Sequence, residues 1–317
     1  MMTQTRRDFL TASALTAGAA LVSPLRALAQ ANSPFRVSVI TDEISNDFDH
    51  ACSVAANDFG MKWVELRSLW GKTVTDLDST DIGRAQEVLG KYNLRVTDIA
   101  SPFFKVNWPG APASKFGGRN QPPADFKEQD ALLVRSIARA KDFQTDKIRC
   151  FDFWRLDDPA PYRDAMDKKL REAVETTEAA GIHLVLENEL DCNTATGREA
   201  ARTLAAVPGL ALNWDPGNAV LRGELDAFPV GWQALPKDRI LHCHVKNGAR
   251  DASGKLGWSP VDIGIIDWTA QFRALKDTGY HGAVSLETHW RGGGTPEASS
   301  RVSWAGMKKC LIAAGAF

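Results

Sequence analysis

The chain is poor in the residues that would stabilise a small cross-linked fold or bind polyanions. Its five cysteines, Cys52, Cys150, Cys192, Cys243 and Cys310, are odd in number, widely spaced and contain no C-x-x-C pair, so neither a disulfide framework nor a zinc knuckle is indicated. They read instead as small buried apolar residues. No glycine-rich G-x-G-x-x-G or Walker sequence follows any strand-like run, which removes the usual phosphate cradle of a nucleotide-binding sheet. An excess of either charge is also missing: 38 Lys+Arg stand against 39 Asp+Glu, so there is no long-range field for a histone-like or polybasic membrane-surface role. Histidine is scarce, with six in 317 residues, and no low-complexity tract or linker marks a second domain.

The first thirty residues stand apart. Thr5-Arg6-Arg7-Asp8-Phe9-Leu10 places two arginines before a small, apolar run from Thr11 to Val22, and Ala27-Leu28-Ala29 offers small residues at a cleavage site. This pattern reads as a twin-arginine export signal over residues 1–29, followed by one domain over 30–317. The run is too short and alanine-rich for a permanent anchor, so no stable membrane anchor is expected. Removing the segment's net +2 from the formal −1 leaves the mature chain near −3. The expected route is the twin-arginine translocase and the expected destination the periplasm. Because that route carries proteins folded in the cytoplasm, a metal can be loaded before export.

Beyond residue 35, short apolar runs alternate with longer amphipathic stretches, the pattern of repeated β-α units around a parallel sheet. Strands are expected near 36–41, 62–67, 94–100, 146–153, 182–187, 209–215, 239–245 and 281–287. Helices are expected over 46–58, 79–92, 126–143, 161–180, 194–206, 224–236, 267–279 and 296–316. Gly60, Gly181 and Gly279 fall at expected helix ends, each just before the next strand. Eight such pairs predict a single (β/α)8 TIM barrel, with a doubly wound open sheet as the alternative. The stretches 101–125 and 247–266 are long strand-to-helix loops, suited to lids or substrate walls.

Polar residues fall at informative places. Glu187, Asp215, His244 and Glu287 lie at the C-terminal ends of the fifth to eighth predicted strands, and in a barrel those ends converge on one rim. Three carboxylates brought together without a cation repel one another, whereas carboxylates with one imidazole suit a divalent ion such as Mn2+, Mg2+, Co2+ or Zn2+. Strand side chains alternate with period two, so His242, His244 and Lys246 share a face, as do Ser285 with Glu287 and Glu65 with Arg67. Arg67, Lys105, Arg155, Lys246 and Arg250 lie at or just beyond strand ends, where they can bind an anionic substrate or pair with rim acids such as Asp42, Glu43 and Glu65. Trp154, Trp214, Trp258 and Trp290 are expected near the same rim, where indole faces favour a carbohydrate.

The runs LVLENE (184–189), LNWDPGNA (212–219), HCHVKN (242–247) and SLETH (285–289), in this order and spacing, resemble the sugar phosphate isomerase/epimerase group of xylose isomerase-like barrels. The resemblance implies one divalent ion held by Glu187, Asp215, His244 and Glu287, with Glu187 and Glu287 also acting as the proton-transferring pair. The candidate substrate contacts are Glu65, Arg67, Lys105, Arg155, Asn218, Lys246 and Arg250, of which Arg250 resembles a substrate-contacting arginine of the epimerases. Two positions depart from the group's pattern: Asn218 stands where D-x-x-H would end, and Glu189 stands where many relatives have His. The expected chemistry is isomerisation or epimerisation of a keto-sugar or sugar derivative through an enediolate. Elimination from the same intermediate would make a lyase of an oxidised glycoside. A sugar-binding barrel without catalysis and a phosphodiesterase are the other classes; the latter is disfavoured by few histidines, neutral charge and export, so no nucleic-acid partner is expected. Homo-oligomerisation is left open.

Overall fold

The computed structural model describes residues 33–117 and 125–317. Among them, eight parallel strands form one sheet: β1 (Arg36–Val39), β2 (Trp63–Leu66), β3 (Arg95–Phe103), β4 (Lys147–Cys150), β5 (His183–Glu187), β6 (Ala211–Trp214), β7 (Ile240–Val245) and β8 (Ala283–Leu286). Each pairs with its sequence neighbour, β8 pairs with β1, and a parallel bridge between Ile40 and Glu65 closes the ring. The export segment expected over 1–29 and part of the long loop, residues 118–124, lie outside the described residues.

Outside the ring pack α1 (Phe48–Ser53), α2 (Ser79–Lys91), α3 (Gln129–Asp142), α4 (Arg163–Ala179), α5 (Gly197–Ala206), α6 (Pro216–Arg222), α7 (Trp268–Asp277) and α8 (Pro296–Ala313). Their starts follow local chemistry. Asp47, Asp78, Thr196, Asp215, Asp267 and Thr295 each accept a backbone N–H of the first turn, and Asp78 and Thr196 complete capping boxes with Asp81 and Glu199. Gly181 and Gly279 end α4 and α7 with φ of +75° and +74°, a conformation that costs a residue with Cβ.

The core lies between sheet and helices. Val37, Val39, Val64, Leu66, Leu184, Leu186, Val245, Val284 and Leu286 point outward from the strands and are buried under the helical layer. The alternate residues point into the ring, and here the chain departs from the Val/Ile/Leu layers usual for such barrels. Ser38, Glu65, Arg149, Asn213, His242 and Ser285 are buried there, beneath the strand ends.

Three expectations are corrected. A helix not expected from the sequence begins at Pro216, immediately after Asp215, because proline is pre-set for the first helical position and Asp215 caps it through the Asn218 N–H; the 224–236 stretch is helical only over a short segment, Ala227–Gly231 running into Trp232–Ala234, kinked at Phe228. The 247–266 stretch holds an antiparallel hairpin, Asn247–Arg250 with Leu256–Ser259. Trp214 faces outward, fully buried, and donates its indole N–H to Gln271 on α7 at 3.2 Å. The five cysteines are buried and unpaired, as expected.

Candidate metal centre

The ends of β5 to β8 bring four donors together. β5 ends on Glu187; the turn after β6 carries Asp215, held by reciprocal bonds in which Asn188 Nδ2 donates to the Asp215 carbonyl and Asn188 Oδ1 accepts the Asp215 N–H. His244 lies on β7, and Glu287 follows β8. His244 Nδ1 is 3.3 Å from Glu187 Oε1, 3.5 Å from Asp215 Oδ2 and 3.2 Å from Glu287 Oε2. One donor atom from each of the four lies within 4.8 Å of every other.

This donor set fits a divalent cation. Bonds of about 2.0–2.2 Å to oxygen and nitrogen place neighbouring ligand atoms roughly 3 Å apart, close to the spacings around His244. Glu187 Oε2 and Asp215 Oδ2 are buried and have no well-aligned hydrogen bond; what faces them is positive charge, Arg149 at 3.0 Å and Lys246 at 2.7 Å. Charge agrees: the carboxylates of Asp42, Glu43, Glu65, Asp98, Glu187, Asp215 and Glu287 meet only Arg67, Arg149, Lys246 and Arg291 as permanent cations among the groups that pair with them. Without a further positive charge, His244 supplies one. Burial alone would lower its pKa, but Glu65, Glu187 and Glu287 carry it well above the ordinary imidazole value.

The flanking cations set the carboxylates apart. Burial opposes ionisation of Glu287, yet Lys246, His289 and His244 hold it well below the usual range. Burial likewise opposes ionisation of Glu187, which His244 and Arg149 overcome. Asp215, for which burial outweighs Lys246, is raised. Arg149 lies 3.0 Å from Glu187; Arg67 bonds Glu287 at 3.0 Å and Glu43 at 2.6 Å; Lys246 lies 2.7 Å from Asp215 and also bonds Glu287. His289, 3.3 Å from Glu287, packs beneath Trp258, whose ring also lies 5.1 Å from the Lys246 ammonium.

The other sequence-derived candidates scatter. Asn218 is buried and donates to Glu187 Oε1 at 3.1 Å and to the Asn188 carbonyl, so the amide replacing histidine supports a ligand. Lys105 stands at the mouth, 3.6 Å from Glu189 and over the rings of Phe151 and Trp154. Glu65 is fully buried below His244, 3.0 Å from its Nε2. Two arginines are not brought to the cluster. Arg155 is turned to Glu199 and the Cys192 carbonyl, and Arg250 to the Gly254 carbonyl in the exposed hairpin. Residues that the reading of strand ends missed include Arg149, Asn213 and Asp98. Arg149 alternates with the outward core residues Ile148 and Cys150, and Asn213 lies two residues before Asp215, so period two places both on the inner face; Asp98 carries no such signal because the β2–β3 register shifts beside it.

Solved structures share this fold. A probable 3-DHS dehydratase involved in petrobactin synthesis from Bacillus anthracis is 22% identical, with a TM-score of 0.63 over 88% of this chain and 98% of that one. A xylose isomerase-like TIM barrel protein from Mycobacterium smegmatis in complex with magnesium is 17% identical, with a TM-score of 0.62 over 89% and 98%. D-psicose 3-epimerase with D-tagatose from Clostridium cellulolyticum H10 is 16% identical, with a TM-score of 0.60 over 89% and 98%. At these identities the likeness is one of fold. No curated protein matches the chain. The family model described as xylose isomerase-like TIM barrel matches residues 54–310. That match takes in most of the chain, including β2 to β8 of the eight-stranded ring, and the chain belongs to the xylose isomerase-like TIM barrel family.

Proposed function

We propose that this chain is an exported, divalent-metal-dependent sugar isomerase or epimerase acting on a keto-sugar or sugar derivative. The observation that carries the reading is the convergence of Glu187, Asp215, His244 and Glu287 within 4.8 Å. Mn2+, Mg2+, Co2+ or Zn2+ held by these four would act as a Lewis acid, polarising a substrate carbonyl and stabilising the negative charge that follows proton loss.

The proton chemistry belongs to Glu187 and Glu287. They sit on β5 and beyond β8, with β6 and β7 between them, and so reach a substrate from two sides. Their cationic neighbours keep both ionised at neutral pH, the state a base requires. One carboxylate takes the proton from the carbon beside the carbonyl, leaving the electron pair in the enediolate. Return of a proton to the opposite face of that carbon inverts it, and return to the neighbouring carbon isomerises the sugar. Trp154 and Trp258 beside the mouth support a carbohydrate, because indole faces pack on C–H faces while Lys105 and Lys246 reach hydroxyl or anionic groups.

A lyase reading has one observation in its favour. Lys246 is a buried ammonium bonded to Glu287 and close to Asp215, a fixed positive charge that would steady an oxygen leaving from the carbon next to the site of proton loss. The Arg6-Arg7 pair and the apolar run after it support export through the twin-arginine translocase to the periplasm. Among the described residues no helix is long and apolar enough to cross a membrane.

The test is elemental analysis of residues 30–317 beside Glu187→Gln and His244→Ala. One divalent ion per chain is expected, lost or strongly depleted in both variants. With metal, a keto-sugar should exchange its α-proton with D2O, and Glu187→Gln and Glu287→Gln should each abolish exchange. Absence of metal after loading with all four ions overturns the reading and favours a sugar-binding barrel.

A further inference from the structure

Polar side chains fill the ring beneath the four donors. The uppermost is Glu65, fully buried, with Oε1 and Oε2 at 3.0 and 3.2 Å from His244 Nε2. The opposite ring nitrogen, Nδ1, faces Glu187, Asp215 and Glu287. A neutral imidazole carries one proton, so a ring that offers its Nδ1 lone pair to a cation keeps its proton on Nε2. That nitrogen points at a carboxylate, which only accepts.

The layer beneath fixes Glu65 in turn. His242 Nε2 lies 3.7 Å from Glu65 Oε2, 3.3 Å from Asp98 Oδ1 and 3.5 Å from Thr97 Oγ1, while its Nδ1 lies 3.1 Å from Asn213 Oδ1. Asn213 Nδ2 also lies 3.0 Å from His244 Nε2 and competes with Glu65 for that position. The carboxylate wins this competition: an Nε2 lone pair held 3.0 Å from an ionised oxygen would be repelled, whereas an Nε2–H makes a charge-assisted bond, roughly twice as strong as a neutral one. The amide can meet the same N–H by rotating to present its oxygen, since amide oxygen and nitrogen are assigned from their surroundings.

We propose that Glu65 is a positioning residue: it takes the Nε2–H of His244, so that Nδ1 is the nitrogen presented to the divalent ion, and His242, Asp98 and Asn213 are the buried props that hold it there. The inference rests on the metal-dependent reading of the preceding subsection. It also explains why Glu65, expected to contact substrate, is sealed below the ligand.

Two measurements test it on residues 30–317. In Zn2+-loaded protein labelled with 15N-histidine, the His244 ring should keep a proton on Nε2 protected from solvent exchange, with Nδ1 shifted by coordination. By Mn2+ titration, Glu65→Gln should weaken binding by roughly 10–100-fold, and Glu65→Asp should recover part of the loss. A merely structural role would lower the melting point of the metal-free variant but leave Mn2+ affinity and the proton's position unchanged. A proton on Nδ1, or a Glu65→Gln variant binding Mn2+ within twofold of the parent, overturns the proposal. The NMR arm needs no variant and decides even if Glu65→Gln fails to fold. Failure of the parent chain to bind any divalent ion is a different result: it overturns the metal-dependent reading and this assignment with it.

Discussion

Arg67 and Arg155 carry the same guanidinium near strand ends and serve different ends. Arg67 reaches Asp42, Glu43 and Glu287 and so belongs to the electrostatics of the cluster. Arg155 donates to both oxygens of Glu199 and to the Cys192 carbonyl, fastening the loop after β4 to the start of α5. Arg155→Met should therefore leave kcat and KM of the metal-loaded protein near parental values while lowering stability by about 1.5–3 kcal/mol, the range for hydrogen bonds to charged groups. Urea unfolding and steady-state rates on one preparation check this; a fall in turnover with stability intact would return Arg155 to the substrate. Residue type alone does not separate the two arginines. Arg67 alternates with Glu65 along one strand face, whereas the partner of Arg155 lies 44 residues away on a helix, a pairing no local pattern reveals.

At the scale of elements, the strand ends were the legible part: the runs ending at Glu187, Asp215, His244 and Glu287 keep period-two alternation, and alternation decides which side chains face inward. The helix after β6 was misplaced because Asp215-Pro216-Gly217-Asn218 has the composition of a turn; capping by Asp215 converts it into a helix start. Capping also gives α5 a pH dependence. Burial works against ionisation of Glu199, but hydrogen bonds from Arg155 and from the Ala195 and Thr196 N–H groups hold its pKa below the ordinary 4.5. A carboxyl lowered in the folded state stabilises fully above its unfolded value and loses that contribution as pH falls through the lower folded value. Stability should thus drop below about pH 4.5, and Glu199→Gln should be less stable than the parent at pH 7 but lose less between pH 5 and pH 3. Chemical denaturation across that range, with parallel pH curves for the two proteins as the contrary result, decides it.

For the whole molecule, the excess of buried carboxylate at the rim and in the ring couples cation binding to folding. A divalent ion at 100 times its Kd adds about 2.7 kcal/mol, so chelation should lower the melting temperature by roughly 4–5 °C in a chain of this size. Scanning calorimetry with EDTA and with added Mn2+ measures it, and an unchanged midpoint would contradict a resident ion. The number of β-α units and the single ring could be read from the order of apolar runs. Part of the polar interior could not: Ser38 and Asp98 look like any strand residue until ring closure sets them inside, beneath the four donors. The same closure fixes where the chain enters and leaves. Ser33 Oγ donates to the Ala316 carbonyl at 2.8 Å, on the side where the strands begin, while Glu187, Asp215, His244 and Glu287 crowd the side where they end. An anchor, bead or fusion partner joined near either of these residues would leave the four-donor rim facing solution, and a short peptide joining them would permit new termini elsewhere without crossing that rim.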